Sequence, residues 1–189
     1  MLEKMPKAIG EALRGVGPGL DKLVTNAHFG EVAATLAVTS PAFADGGPMP
    51  ADATADGSGT SPPLAWRGVP AGCAEVVVVI EDADSPTPAP LVHAIVYGLP
   101  GRDGAVAEGE LSGQDGAGPL RLGKSSYLKA AYLPPDPPTG HGPHRYAVQV
   151  FALDAPSGLK AEPGRGAVVA VMAGHVVAKG LLIGTYERA

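Results

Sequence analysis

Glycine and proline supply a quarter of this chain, 27 and 20 of its 189 residues. Each proline removes a backbone donor, and each glycine weakens a helix or strand interior. An ordered chain so punctuated has to turn often, which favours many short strands over a few long helices. From Leu36 onward the sequence reads that way. "TLAVTS" is a short strand, followed by the turn-rich stretch "FADGGPMPADATADGSGTSPPLAW". "EVVVVI" is continuous and β-branched, the pattern of a strand buried on both faces. "LVHAIVYGL" and "HRYAVQVFAL" are two further strands. In the latter, His144, Tyr146, Val148 and Val150 share one face, while Arg145, Ala147, Gln149 and Phe151 take the other.

Both ends read as helical. Over residues 1–26, Leu2, Met5, Ile9, Leu13, Val16, Leu20 and Leu23 recur every three or four positions, with a break expected near Pro18. The closing "GAVVAVMAGHVVAKGLLIGTYER" is mostly apolar and reads as a largely buried helix. The expectation is a mainly β protein: an antiparallel β-sandwich with an N-terminal helix and a C-terminal helix. Residues 1–35 form a helical extension and residues 36–189 the domain proper.

Composition narrows the function. Hydrophobic residues at 45% and charged residues at 17% describe a globular chain. A net charge of −5, with 5% aromatic residues, argues against a nucleic-acid partner, which needs a basic face or stacking rings. Cys73 is the single cysteine, so no internal disulfide is available, and beside "AEVVVVI" it reads as a small core residue. No apolar run approaches the about 20 residues of a membrane span, and no signal-peptide core follows the first lysines. A cytoplasmic protein without membrane contact is expected.

One motif match has to be set aside. "GPLRLGKS", residues 118–125, fits the phosphate-loop pattern G-x-x-x-x-G-K-[ST]. Such a loop needs a buried strand before it and a long helix after it. Here "EGELSGQDGA" precedes and only "SYLKAAYL" follows before Pro134. Pro119 also removes one of the cradling amides. Nucleotide binding is not expected.

The residues that carry chemistry stand where strands end. Asp82 and Asp84 close "EVVVVI", and their spacing suggests carboxylates on one side. His93 lies in an apolar strand, and His144 opens the next one after the loop "LPPDPPTGHGP". No H-x-H, H-x₃-H or C-x₂-C spacing supports a metal site, and no G-x-S-x-G elbow supports nucleophilic hydrolysis. The remaining chemistry is an anion pocket, in which carboxylates orient imidazoles and favour their protonated form.

"TSPPLAWRGVPAG", "EDADSPTPAPLVHAIVYGLP", "PPTGHGPHRYAVQVFALD" and the closing "GTYER" stand in the order and approximate spacing of the phosphatidylethanolamine-binding proteins (PEBP). The chain resembles this family, most of all its bacterial Raf-kinase-inhibitor-like branch, over residues 36 to 188. The resemblance implies a β-sandwich of the PEBP type with a small anion pocket and no cofactor or metal. The pocket residues it implies are Asp82, Asp84, His93, His144 and Tyr146. Pro86 matches a position at which the family commonly has a cis proline. "DADSP" departs from the family's D-P-D-A-P at Ala83 and Ser85; Ala94 replaces a usual Trp, and Asp136 puts a negative charge at the pocket mouth.

The function expected is a non-enzymatic binding protein for a small anionic ligand (phosphate, phosphomonoester or carboxylate), regulating a partner in the manner of a kinase or protease inhibitor. The same carboxylates could also receive an ethanolamine-like ammonium. The alternatives are a small hydrolase with a His/Asp pair and an interaction protein with a vestigial pocket. A homodimer is expected from the apolar face of the N-terminal helix.

Overall fold

The computed structural model describes residues 6–112 and 120–188. Leu2 and Met5 of the expected N-terminal helix, and Gly118 and Pro119 of the phosphate-loop match, lie outside the described residues. The strands form two sheets. One runs in the order β1 (Ala37–Thr39), β2 (Leu64–Arg67), β5 (Gly104–Val106). The other runs β6 (Arg121–Gly123), β4 (Leu91–Pro100), β3 (Glu75–Asp82), β7 (His144–Leu153), β8 (Val176–Tyr186). All pairings within them are antiparallel, and the protein is the mainly β sandwich that the sequence indicates.

Strand β3 is buried at all of its positions because both of its faces are covered. Val76, Val78 and Ile80 join Val38, Leu64, Trp66 and Val106 in the core between the sheets. Val77 and Val79 point the other way, into a second cluster with Val24, Phe29, Val168 and Met172. Each buried valine contributes about 2 kcal/mol. An alternating strand could not have served this position, since half of its side chains would be polar groups sealed from water.

The outer cluster is roofed by the two ends of the chain. The N-terminal helix is α1 (Lys7–Ala12), broken before Pro18 as expected; a 3₁₀ turn at Leu20–Lys22 and the short α2 (Val24–Ala27) follow. Gly15 and Gly19 take φ of 76° and 79°, which ends regular helix between them. Buried polar groups fasten this roof. Glu81 accepts the Val24 amide at 2.9 Å, Gln149 Oε1 accepts the Thr25 amide at 2.7 Å, and Lys179 Nζ donates to the carbonyls of Thr25 and Phe29 at 3.1 and 2.7 Å.

The C-terminal helix is shorter than expected. α3 spans only Arg165–Met172, and the residues from Val176 are strand β8. Gly174 at φ 81° stops the helix, and the β-branched Val176 and Val177 suit the strand that follows. β8 pairs with nearly the whole of β7, from His144↔Tyr186 to Leu153↔Val176. Gly180 lets β8 lie directly under the Leu36 carbonyl, where a side chain would collide. An apolar text without clear alternation fits helix or strand, and here tertiary pairing decides.

Candidate functional site

The site forms where β3, β4 and β7 end together. Asp82 is the last residue of β3 and pairs in register with Tyr146 of β7 and Leu91 of β4. The β3–β4 ladder slips at this point: Ile80 opposes Ala94, but Glu81 opposes Val92, leaving His93 as the extra residue of a bulge. The bulge reverses the alternation. Ala94 and Val96 belong to the inter-sheet core and Val92 to the outer cluster, while His93 packs inward beside Ile80, Tyr146 and Val148.

His93 is held from both sides by the loop after β6. Its Nδ1–H donates to the Leu133 carbonyl at 2.6 Å, and its own carbonyl accepts the Leu133 amide at 2.7 Å. That bond fixes the tautomer, leaving Nε2 as the variable atom. Among the described residues Nε2 has no hydrogen-bond partner, nor has the Tyr146 hydroxyl, and both atoms are buried. The two rings meet edge to face with centroids 5.1 Å apart. Burial pushes the His93 pKa below the usual imidazole value, against the opposing pulls of Asp82 and the Leu133 carbonyl.

Asp82 and Asp84 do not act as a pair, contrary to the expectation from their spacing. Strand geometry stops at Asp82, so alternation no longer governs Asp84. Asp82 Oδ2 accepts His144 Nδ1–H at 2.7 Å, and its Oδ1 accepts the Asp84 amide at 2.8 Å. The Asp84 carboxylate instead takes a fork from Arg145, Nε at 2.7 Å and Nη2 at 2.6 Å, plus the Arg145 amide at 2.9 Å. Burial raises the Asp84 pKa, but these Arg145 bonds outweigh it and the net shift is downward. Arg145 therefore faces away from His144, as the alternation of β7 requires. No cis peptide bond occurs among the described residues, so Pro86 is trans, unlike the proline the resemblance implies.

A cavity of about 120 Å³ opens beside these groups, with Asp82, His93, Tyr127 and Asp136 on its wall and Leu91 and Leu133 between them. His144 and Tyr146 stand behind Asp82 and His93 and do not line it. A larger depression of about 570 Å³ lies elsewhere, between residues 26–32 and the end of α3, and holds none of these groups. Asp136 is bound by Arg188 Nη1 at 2.6 Å, and the same guanidinium bonds Asp56 at 2.7 and 2.8 Å. Tyr186 donates its hydroxyl to Asp56 at 2.6 Å. The tail after β8 thus draws the loops around Asp56 and Asp136 together at the cavity edge. No cluster of three metal-binding side chains occurs among the described residues.

Sequence reasoning missed Tyr127, His141 and Arg188. His141 sits in the loop before β7, its Nδ1 2.8 Å from His144 Nε2. Its nearness to His144 in "GHGPHRY" was a usable signal. Arg188 could have been sought as the counter-ion of Asp136, since a carboxylate at a buried rim needs one.

A family model described as phosphatidylethanolamine-binding protein matches residues 39–187. The chain is 33% identical over 176 residues to a UPF0098 protein of Aquifex aeolicus, covering 89% of this chain and 99% of that one. It is 40% identical over 152 residues to a UPF0098 protein of Mycobacterium tuberculosis, covering 80% and 70%. LppC of the same organism, named as a candidate lipoprotein, is 35% identical over 154 residues, covering 80% and 72%. Among solved structures, a phosphatidylethanolamine-binding protein homolog from Chlamydia trachomatis superposes with a TM-score of 0.74 at 31% identity, covering 83% of this chain and all of that one. YbcL of E. coli, described as a member of the mammalian PEBP family, gives 0.74 at 26% identity, covering 82% and 100%.

Proposed function

The chain belongs to the phosphatidylethanolamine-binding protein family, and on that premise we propose that it is a non-enzymatic binding protein whose cavity takes a small phosphorylated or carboxylate-bearing ligand. One observation carries this reading. His93 Nε2 and the Tyr146 hydroxyl are buried polar atoms without a partner among the described residues, and they sit at and behind the wall of a cavity. Leaving such an atom unpaired costs about 1–3 kcal/mol, and a bound anion's oxygen would pair with His93 Nε2 once that ring takes up a proton. The carboxylates nearby are already compensated: Asp82 by His144 and the Asp84 amide, Asp136 by Arg188. Against hydrolysis, no Ser, Thr, Cys or Lys among the described residues lines the cavity.

Binding should depend on pH with a definite sign. Free His93 is neutral near pH 7, because burial lowers its pKa below the ordinary imidazole value. A bound anion favours the protonated ring, so affinity rises as pH falls, by up to tenfold per unit. Calorimetric titration with inorganic phosphate, and with sulfate, which does not itself titrate in this range, tests this. His93→Gln should remove the pH dependence and most of the affinity; Tyr146→Phe should weaken binding without removing the pH dependence. Ammonium ligands binding more tightly than either anion would refute the anion reading and favour the carboxylates as the recognising groups.

Regulation of a partner protein, cytoplasmic placement and a homodimer are parts of the same proposal. No helix among the described residues is long and apolar enough to cross a membrane. LppC sets an exported alternative for the compartment, and cell fractionation separates the two. Ile9 and Val16 are about half exposed on the N-terminal segment, 47% and 51%, as a self-association face requires. Sedimentation at micromolar concentration should give the dimer mass; a monomer would remove the dimer from the proposal.

A further inference from the structure

Carboxylates dominate the charged groups of the cavity. Asp82 and Asp136 line it and Ala55 places Asp56 at its edge, whereas no Lys or Arg among the described residues lines it. Walls of that kind suit a cation better than an anion. Hydrogen-bond partners behind the wall alter the balance. Asp82 is held by His144 and by the Asp84 amide. Asp136 is held by the Arg188 guanidinium, which arrives from the tail of the chain. Nη1 donates to Asp136 Oδ1 at 2.6 Å and to the Pro137 carbonyl at 3.0 Å. The other edge of the guanidinium grips Asp56, with Nε 2.8 Å from Oδ2 and Nη2 2.7 Å from Oδ1. Tyr186 adds a hydroxyl donor to the same Asp56 oxygen at 2.6 Å, and the Arg188 carbonyl accepts the Gly140 amide at 3.1 Å, so the tail is pinned on both sides.

The charge of this node is set by one residue. Asp56 and Asp136 bring two negative charges and Arg188 one positive charge, so the node carries one negative charge with Arg188 and two without it. An arginine keeps its charge at any pH at which the protein is folded. The side chains of Arg188 and Asp136 are each only 15% exposed, so water and salt screen this pair less than a surface pair. The planar fork also suits the task, since one compact ammonium could not bond two carboxylates on opposite edges. Other basic groups do not stand in for it. Arg145 is taken by Asp84, Lys124 pairs with Glu162 at 3.8 Å, and Lys129 is exposed to solvent, which screens its charge. Removing the guanidinium would therefore leave Asp136 on the cavity wall as a bare carboxylate, repelling an anion and attracting an ammonium group.

We propose that Arg188 determines the sign of charge that the cavity accepts: by covering Asp136 and Asp56 from the tail it makes a carboxylate-walled cavity receptive to small anions, and without it the same cavity takes small ammonium ions. Arg188 acts through Asp136 and touches no ligand itself, so it is a positioning residue for specificity. This deepens the anion-pocket reading and rests on it.

Calorimetric titration of the full chain with sulfate and with ethylammonium, at pH 7 and one fixed ionic strength, tests it. Arg188→Met should bind sulfate about tenfold more weakly and ethylammonium about tenfold more tightly. Arg188→Lys keeps the charge without the fork and should retain most of the sulfate affinity. Arg188→Met combined with Asp136→Asn removes the bared carboxylate, so sulfate affinity should return to within about threefold of the unaltered protein and the ethylammonium gain should vanish. Asp136→Asn alone leaves the guanidinium in excess, so it should tighten sulfate and weaken ethylammonium. A merely structural tail would give a different pattern: Arg188→Met would weaken both ions together, and Asp136→Asn would not restore sulfate. That pattern overturns the proposal, as does an Arg188→Met protein that binds both ions unchanged. If urea unfolding shows that Arg188→Met does not fold, Asp136→Asn alone still decides, because only control by charge moves the two ions in opposite directions. An unaltered protein that prefers ethylammonium would sink the anion reading instead, and a further gain of ethylammonium affinity in Arg188→Met would still show control by the guanidinium. Binding of neither ion would overturn both.

Discussion

His144→Ala is expected to cost the protein about 3 kcal/mol of folding stability and to abolish measurable anion binding. The side chain of His144 is fully buried and that of Asp82 is only 4% exposed, at an N···O separation of 2.7 Å. Removing the imidazole strips Oδ2 of its donor and leaves the carboxylate with the Asp84 amide on Oδ1 alone. Water has no ready access to replace the lost bond, since both side chains are buried and the Tyr146 ring lies against His144. Truncation also leaves a void beside the Tyr146 ring, which lies stacked on His144 with centroids 6.3 Å apart. The loss of binding follows from charge, because an uncompensated Asp82 would stand on the cavity wall facing the ligand. Urea unfolding at pH 7 and phosphate titration measure the two effects. The double variant Asp82→Asn/His144→Ala should recover part of the stability, since no charge is then stranded. If His144→Ala lost less than about 1 kcal/mol, the pair would not be the structural centre argued here.

The parts of the fold that were legible in the sequence are those in which local text and tertiary environment agree. "EVVVVI" says it is covered on both faces, and it is, because the chain ends roof the outer side of the sheet. The face shared by His144 and Tyr146 follows from simple alternation, which holds through β7 without a break in its pairing to β3. Other features depend on relations between segments that no single stretch carries. The bulge at His93 exists only in the register of β4 against β3. Asp84 leaves the alternation because the strand ends two residues earlier. β8 is strand rather than helix because β7 offers it a full edge, with Gly174 ending α3 in time. Arg188 reaches Asp136 and Asp56 from 52 and 132 residues away, contacts that local spacing cannot suggest.

The second large effect is expected at Glu81, beside Asp82 but on the opposite face of β3. Its side chain is fully buried and holds three parts of the molecule at once. Oε1 accepts Arg165 Nε of α3 at 2.6 Å; Oε2 accepts Gln149 Nε2 of β7 at 2.8 Å and the Val24 amide at 2.9 Å. Arg165 continues to the Lys22 carbonyl at 2.9 Å, and Gln149 Oε1 takes the Thr25 amide at 2.7 Å. Two orphan amides at the start of α2 thus find their acceptors in side chains of the sheet, where a helix of four residues has no capping side chain of its own. Glu81→Ala would strand the buried Gln149 amide, the Val24 amide and one edge of the Arg165 guanidinium together. We expect a loss of about 3–5 kcal/mol, with the amides of Val24 and Thr25 losing hydrogen-exchange protection ahead of the β7 core. Glu81→Gln retains the shape and one acceptor, so it should cost less than half as much. Glu81→Met with Arg165→Met removes the charges as a pair and should fall below the single alanine change. Protection of Val24 and Thr25 that survived Glu81→Ala would mean that the apolar contacts of Val24 and Phe29, not this polar node, fasten the N-terminal segment to the sheet.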